Sequence, residues 1–365
     1  MSRSFITDET LRHSSNNLNA VRLALASAVI YSHAYYPRHD FDALKAQLGA
    51  PLSWFAVEGF FVISGFLVYR SLERGGSLTD YAVSRFTRIW PGLTVMAIVV
   101  GLAGAFFSVL HPPAYFSDPG LFRFIAGAAA IQPSYELPGV MCGDGPCNVN
   151  GSLWTIPWEV KCYIALGLIF LIGRKGHFGR VTNLALIATL ALAVLTDVPA
   201  LHGALAAKIG GKIYFVDQVS RLWSAFALGI AAYRFRDRLP LSWAAAAALL
   251  LVAVLCKDMA LGTHLRIVAV AYLVLCAGFK SGAVSARWPD YSFGMYIYAM
   301  PVMTGLLVAG LSLPPLLLAA LVAFVTVFFA AASWHLVESP ALEFRKSVKK
   351  RRAAARLGTK LTEAA

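Results

Sequence analysis

The sequence predicts an all-α polytopic membrane protein with about ten transmembrane helices, N- and C-termini in the cytosol. Three observations carry that reading. Hydrophobic residues make up 58% of the 365 positions and charged residues only 14%, against roughly 25% charged in soluble domains. Mean hydropathy is +0.64. Apolar runs long enough to cross the roughly 30 Å hydrocarbon core as helices recur along nearly the whole chain.

The runs place spans at about 18–36, 54–70, 90–110, 152–172, 181–197, 215–233, 241–256, 265–279, 291–311 and 315–336. Lys and Arg in the connecting loops set the orientation. With the N-terminus inside, 22 of the 32 basic residues are cytosolic. Seven, Arg266 among them, are assigned to outer loops, and Arg22, Lys161 and Arg221 to spans. The net charge of +13 therefore belongs to a positive-inside pattern, and no nucleic-acid partner is expected. Residues 1–17 are polar, and the first apolar run lacks a small-residue cleavage site, so no cleavable signal peptide is expected. The organisation expected is a cytosolic tail at 1–17, a membrane domain at 18–340 and a basic cytosolic tail at 341–365 that touches anionic lipid.

The first span, VRLALASAVIYSHAYYP, carries Arg22 and His33 in an otherwise lipid-compatible run. Eleven residues at about 100° each return to within roughly 20° of one direction, about 16 Å along the axis. Both groups thus share one helix face. Ionisable groups inside a span face a bundle interior or a wet cavity and are functional by default. The alternative is a snorkelling Arg22 and an interfacial His33.

The second span, SWFAVEGFFVISGFLVYR, adds a carboxylate at Glu58. No basic residue precedes it on its own helix, so His33 on the hairpin neighbour is the expected partner. A His–carboxylate pair fixes the tautomer and raises the basicity of the imidazole, as a general base requires. The alternative for Glu58 is a structural ion pair. Gly59 and Gly65 permit close helix approach.

Before the third span, DYAVSRFTRIWPG places Arg85 and Arg88 at i, i+3. On a helix these form one cationic patch suited to phosphates, although positive-inside loops contain arginines anyway. Residues 111–151 form the longest non-spanning stretch. Its apolar piece Leu121–Ile131 is too short to cross and predicts an interfacial or re-entrant helix. Cys142 and Cys147 bracket a Gly/Asp/Pro turn in a compartment expected to be oxidising, which makes a disulfide plausible. Two thiolates without a nearby His do not suggest a metal site, and Cys162, Cys256 and Cys276 read as small core residues. The fourth span opens GSLWTIPWEVKCY, with Glu159 and Lys161 about one turn inside the membrane.

Taken in order, these motifs resemble the acyltransferase-3 family of integral membrane acyltransferases, which includes bacterial O-antigen, exopolysaccharide and nodulation-factor O-acetyltransferases. The resemblance runs from about Asn17 to Pro340. It rests on Arg22-x10-His33, VEGFFVISGF, Arg85-x-x-Arg88 before Pro91, GSLWTIPWE, YSFGMYIYAMP and the closing Glu338-Ser-Pro340.

The resemblance implies a ten-helix acyl-transfer domain in the bacterial cytoplasmic (inner) membrane. It implies acetyl-CoA or another acyl-CoA as donor, and a carbohydrate acceptor: a polysaccharide, lipid-linked glycan or oligosaccharide. Carried over, His33 is the catalytic base or transient acyl carrier, Arg22 supports its cavity, and Glu58 and Glu159 are site carboxylates. Arg85 and Arg88 hold the donor phosphates at the inner mouth. Two departures stand out: Glu58 where the family often has Asp, and Ala299-Met300-Pro301 where many members have His before the Pro. The hydrolase-like domain that some members append is not expected. A transporter or flippase is the alternative reading, but the halves show no matching broken helices. A structural scaffold would leave Arg22, His33 and Glu58 without a reason.

Overall fold

The computed structural model describes residues 5–11, 15–35, 44–143, 145–174, 176–280 and 288–349. Of the charges used for orientation, Arg3, Arg12, Arg38, Lys175, Arg287 and all those beyond Lys349 lie outside the described residues.

The described chain is helical almost throughout. Its helices are α1 (Leu18–His33), α2 (Lys45–Leu48), α3 (Leu52–Gly75), α4 (Leu78–Ala103), α5 (Pro112–Ser117), α6 (Pro119–Ala129) and α7 (Ile156–Gly173). They continue with α8 (Phe178–Asp197), α9 (Pro199–Ile209), α10 (Ile213–Arg234), α11 (Trp243–Leu255), α12 (Gly262–Phe279), α13 (Ser292–Val308) and α14 (Pro315–Ser333).

Each of the ten expected spans overlaps one of these helices. Among the described residues six helices are long and apolar enough to cross a membrane: Leu52–Gly75, Leu78–Phe106, Gly151–Gly173, Phe178–Asp197, Gly262–Phe279 and Pro315–Lys349. The helices Trp243–Leu255 and Ser292–Val308 are apolar but shorter. Helix α1 has only 16 residues. Helix α10 has 22 but carries Asp217, Arg221 and Arg234. Large apolar side chains point outward along α7, α8 and α14, including Ile172, Leu190 and Phe324. That exposure is what a lipid-facing surface requires. This is a multi-pass membrane protein.

The chain forms two compact units. The first comprises Met1–Gly76, Trp154–Ser292 and Ser312–Ala323. Its centre is the crossing of α3 and α10, where glycines let two backbones touch. A Cβ on Gly65 would lie 1.9 Å from the Phe226 carbonyl oxygen, and one on Gly229 would lie 2.1 Å from that of Val62. Gly59 faces the other way, with Leu25 of α1 and Val274 of α12 against it at 3.0 and 3.3 Å from a built Cβ. Small residues at helix contacts are the usual means of close packing in lipid, where the hydrophobic effect offers no drive. Glu58 of α3 lies near Arg221 of α10, and Tyr69 near Arg234, so the two helices run in the same direction.

The second unit comprises Ser77–Leu153, Phe293–Leu311 and Phe324–Ala365. Ser77 caps α4 by accepting from the Asp80 N–H at 3.2 Å. The expected short helix is α6, begun by Asp118, whose carboxylate accepts from the Gly120 N–H at 2.6 Å. Contacts along α4 settle its path. A Cβ on Gly101 would meet Leu121 near the start of α6, and the Trp90 indole N–H donates to the Ala129 carbonyl at its end, at 2.8 Å. Helix α6 therefore runs antiparallel along α4 by about three turns.

The chain turns at Ile131, in left-handed conformation at φ 58°, and returns to Leu137 beside Gly104. Tyr115 of α5 donates to the Gly101 carbonyl at 2.5 Å, and burial pushes its phenol up to about 12. The loop beyond ends in a two-stranded pair, β1 (Met141–Cys142) and β2 (Gly145–Pro146), closed by a disulfide between Cys142 and Cys147 with S–S 1.99 Å.

Candidate active site

In the first unit, helix α1 carries both Arg22 and His33. His33, the last residue of α1, is 7% exposed. Arg22 sits about three turns earlier, and its Nη1 lies 3.0 Å from Asp290 Oδ2. The other Asp290 oxygen accepts from the Ser292 hydroxyl at 2.5 Å. Arg22 thus ties the start of the first helix to the start of the YSFGMYIYAMP motif.

The expected His33–Glu58 pair does not form. Glu58 is fully buried, and both of its oxygens accept from Arg266: Oε1 from Nη2 at 2.7 Å and Oε2 from Nε at 3.2 Å. Arg221 stands 3.9 Å from the same carboxylate. The reason lies in the packing. Helix α3 touches α1 through Gly59, but the Glu58 face of α3 is turned toward α10 and α12, which bring two guanidiniums. Arg266 was assigned to an outer loop; it lies in α12 and is 7% exposed.

Glu159 sits in the first turn of α7, just after Pro157 at a position where proline's missing N–H costs nothing. Its Oε1 accepts from Ser64 of α3 at 2.8 Å and from the Tyr163 hydroxyl. The serine of VEGFFVISGF and the glutamate of GSLWTIPWE are therefore direct partners. Lys161 lies over the Trp158 ring at 3.9 Å, an aromatic neighbour suited to a cation.

A further polar cluster joins α8, α10 and α12. His264 Nδ1 lies 2.8 Å from Asp197 Oδ2, and Nε2 lies 3.1 Å from Ser224 Oγ and 3.3 Å from Ser220 Oγ. The sequence reading assigned no role to any of these residues, nor to Arg221, Arg266 or Asp290. An arginine within a span was the one available signal, and Arg221 carried it.

In the second unit, Arg85 and Arg88 lie on α4. Arg85 Nη2 donates to the Ser84 hydroxyl at 2.8 Å. Arg88 Nη1 lies 3.7 Å from Glu338 Oε2, with its guanidinium 5.8 Å from the centre of the Phe293 ring. Glu338 is 2% exposed, ends a π-helical turn at Trp334–Glu338, and accepts from Ser333 at 2.9 Å. Such π-turns are frequent at functional sites. The closing Glu-Ser-Pro motif is thus a partner of the Arg-x-x-Arg motif.

Asn150 donates to the Ile297 carbonyl at 2.8 Å, and the Tyr296 hydroxyl to the Ser152 carbonyl at 2.8 Å. These bonds lock the approach to GSLWTIPWE against the ninth-span motif. The same unit forms an open-sided pocket of about 310 Å³ lined by residues including Val99, Leu137, Tyr298 and Phe329, an apolar space without ionised groups. Among the described residues, no group of three or more His, Cys, Asp or Glu is placed to hold a metal ion.

The family model Acyl_transf_3, an acyltransferase domain, matches residues 15–335. Nodulation protein 10 of Rhizobium leguminosarum bv. viciae is 29% identical over 355 residues, covering 92% of this chain and 96% of that protein. An O-acetyl transferase of Shigella phage Sf6 is 26% identical over 347 residues, covering 89% and 96% respectively. No solved structure matches the chain at a significant level.

Proposed function

From the premise that the chain belongs to the Acyl_transf_3 family of acyltransferases, we propose that it is a membrane-bound O-acyltransferase. It moves an acetyl or other short acyl group from acyl-CoA to a hydroxyl of a cell-envelope or secreted carbohydrate. The family match over residues 15–335 carries this reading. The similarity to an O-acetyl transferase and to a nodulation protein supports the group moved and the kind of acceptor.

In this reading His33 takes the proton of the acceptor hydroxyl as that oxygen attacks the thioester carbonyl. The C–O ester bond forms, the C–S bond breaks, and the CoA thiolate leaves and is protonated. If His33 instead carries the acyl group, its ring nitrogen makes the first attack and the hydroxyl the second. Arg85 and Arg88 supply guanidiniums for the donor's phosphates. Glu159, held by Ser64 and Tyr163, orients groups around the first unit's site. The enzyme sits in a bacterial inner membrane with both termini cytosolic, which places the Cys142–Cys147 loop in the oxidising compartment.

The test is direct. Purified protein in detergent, given acetyl-CoA and an envelope glycan, releases free CoA and forms O-acetyl signals in the glycan's NMR spectrum. Absence of both with a folded protein and a range of glycans would overturn the reading.

A further inference from the structure

The cluster around Glu58 holds more positive than negative charge. We propose that the surplus forms a binding site for one anionic oxygen group, a carboxylate or a phosphate ester, carried by the acceptor. This rests on the O-acyltransferase reading and deepens it by naming what the acceptor presents.

Two guanidiniums, Arg221 and Arg266, face one carboxylate, and the three side chains are 6%, 8% and 0% exposed. Arg266 occupies both Glu58 oxygens. Arg221 is left with little: Nη2 donates to Gln218 Oε1 at 3.2 Å, and Nη1 stands 3.9 Å from Glu58, beyond hydrogen-bond reach. Its Nε and Nη1 have no hydrogen-bond acceptor among the described residues.

Buried donors without acceptors and buried charge without a counter-charge are both costly. A single added anion answers both: it makes the cluster neutral and gives Nε and Nη1 an acceptor. A site with one carboxylate per guanidinium would have no such opening.

The walls fit a sugar that carries the anion. The Trp54 ring lies 4.1 Å from the Arg221 guanidinium carbon and 5.6 Å from that of Arg266, and the Trp154 ring lies 5.6 Å from that of Arg221. Indole faces stack on guanidiniums and offer an apolar platform to the C–H face of a sugar ring. Trp54, the ring that covers Arg221, is itself 38% exposed. The hydroxyls of Ser53 and Ser32 are 3.2 Å apart, which sets the residue before Trp54 against the residue before His33. An acceptor anchored at Arg221 over Trp54 is therefore held next to the turn that bears the imidazole.

The experiment uses the full chain in detergent micelles without donor, reading tryptophan fluorescence and thermal unfolding. Glucuronate and glucose 1-phosphate are titrated separately, with glucose as the neutral control. A saturable signal and a raised unfolding temperature are expected for at least one anion and not for glucose. Which anion responds tells a uronate from a phosphate ester. Arg221→Gln weakens that affinity by at least about tenfold, the loss of one charged hydrogen bond, while Arg221→Lys retains part of it and guards against a folding defect. The proposal is overturned if neither anion saturates, or if a folded Arg221→Gln protein binds as the native one does. Acyl transfer is not needed for this readout. Anion binding without transfer would remove the enzymatic reading and keep the site; transfer without anion binding would do the reverse.

Discussion

Arg266 grips Glu58 through both carboxylate oxygens, at 2.7 and 3.2 Å, across 208 residues of sequence. That bond decides what Glu58 does. With its oxygens taken by α12, the carboxylate fixes Arg266 in place, stands 3.9 Å from Arg221 and leaves the orientation of His33 to other groups. Glu58→Gln leaves two buried guanidiniums uncompensated and should cost about 3–5 kcal/mol. Glu58→Asp keeps the charge and should cost less. Thermal unfolding of the solubilised protein measures both, and adding Arg266→Met to Glu58→Gln should recover part of the loss. An unchanged unfolding temperature for Glu58→Gln would contradict the ion-pair account.

The α3–α10 crossing tolerates no side chain. Gly65→Ala and Gly229→Ala each drive a Cβ into a backbone carbonyl oxygen, at 1.9 and 2.1 Å, which cannot be relieved by a rotamer change. Both variants should fail to accumulate in membranes. Gly75→Ala, with nothing within 4 Å of the new atom, is the neutral control. Native levels of the Gly65 variant would show that the crossing is looser than described.

His33→Ala should abolish O-acyl signals in the extracted glycan while the protein remains in the membrane at its normal level. The side chain is buried at the end of α1, so the deletion leaves a small cavity, with an expected cost of roughly 1–3 kcal/mol. Retained acylation would remove His33 from the chemistry.

Arg85→Ala with Arg88→Ala should raise the KM for acyl-CoA more than it lowers kcat, since phosphate contacts remote from the reacting carbon contribute mainly uniform binding. Glu338→Gln, which takes the carboxylate from Arg88, should give a smaller shift in the same direction. Kinetics at varied acyl-CoA decide this, and an unaltered KM in the double variant would exclude both arginines from donor binding.

The Cys142–Cys147 bond should appear as a single cross-linked peptide in non-reducing mass spectrometry. Two thiols free to alkylate in protein kept from reductant would refute it.

Much of this was legible beforehand because hydrophobicity and spacing are local. The apolar runs gave the helices, the eleven-residue interval put Arg22 and His33 on one face, and the length of Leu121–Ile131 marked a helix too short to cross. What that helix packs against was not legible; Trp90 and Gly101 show it running antiparallel along α4. The motif residues could be named one by one, yet their pairing could not. Ser64 with Glu159, and Arg88 with Glu338, join segments far apart in sequence.

By itself, then, the sequence determined the solvent this chain lives in, the places where its helices form, and the ionisable groups that must find partners there. The tertiary structure alone decided which partners they found. Glu58 illustrates the difference: its cost in lipid follows from its own chemistry, whereas the choice of Arg266 over His33 depends on which face of α3 meets α12. That face is set by glycine contacts at Gly59, Gly65 and Gly229, where the absence of a side chain lets one backbone approach another.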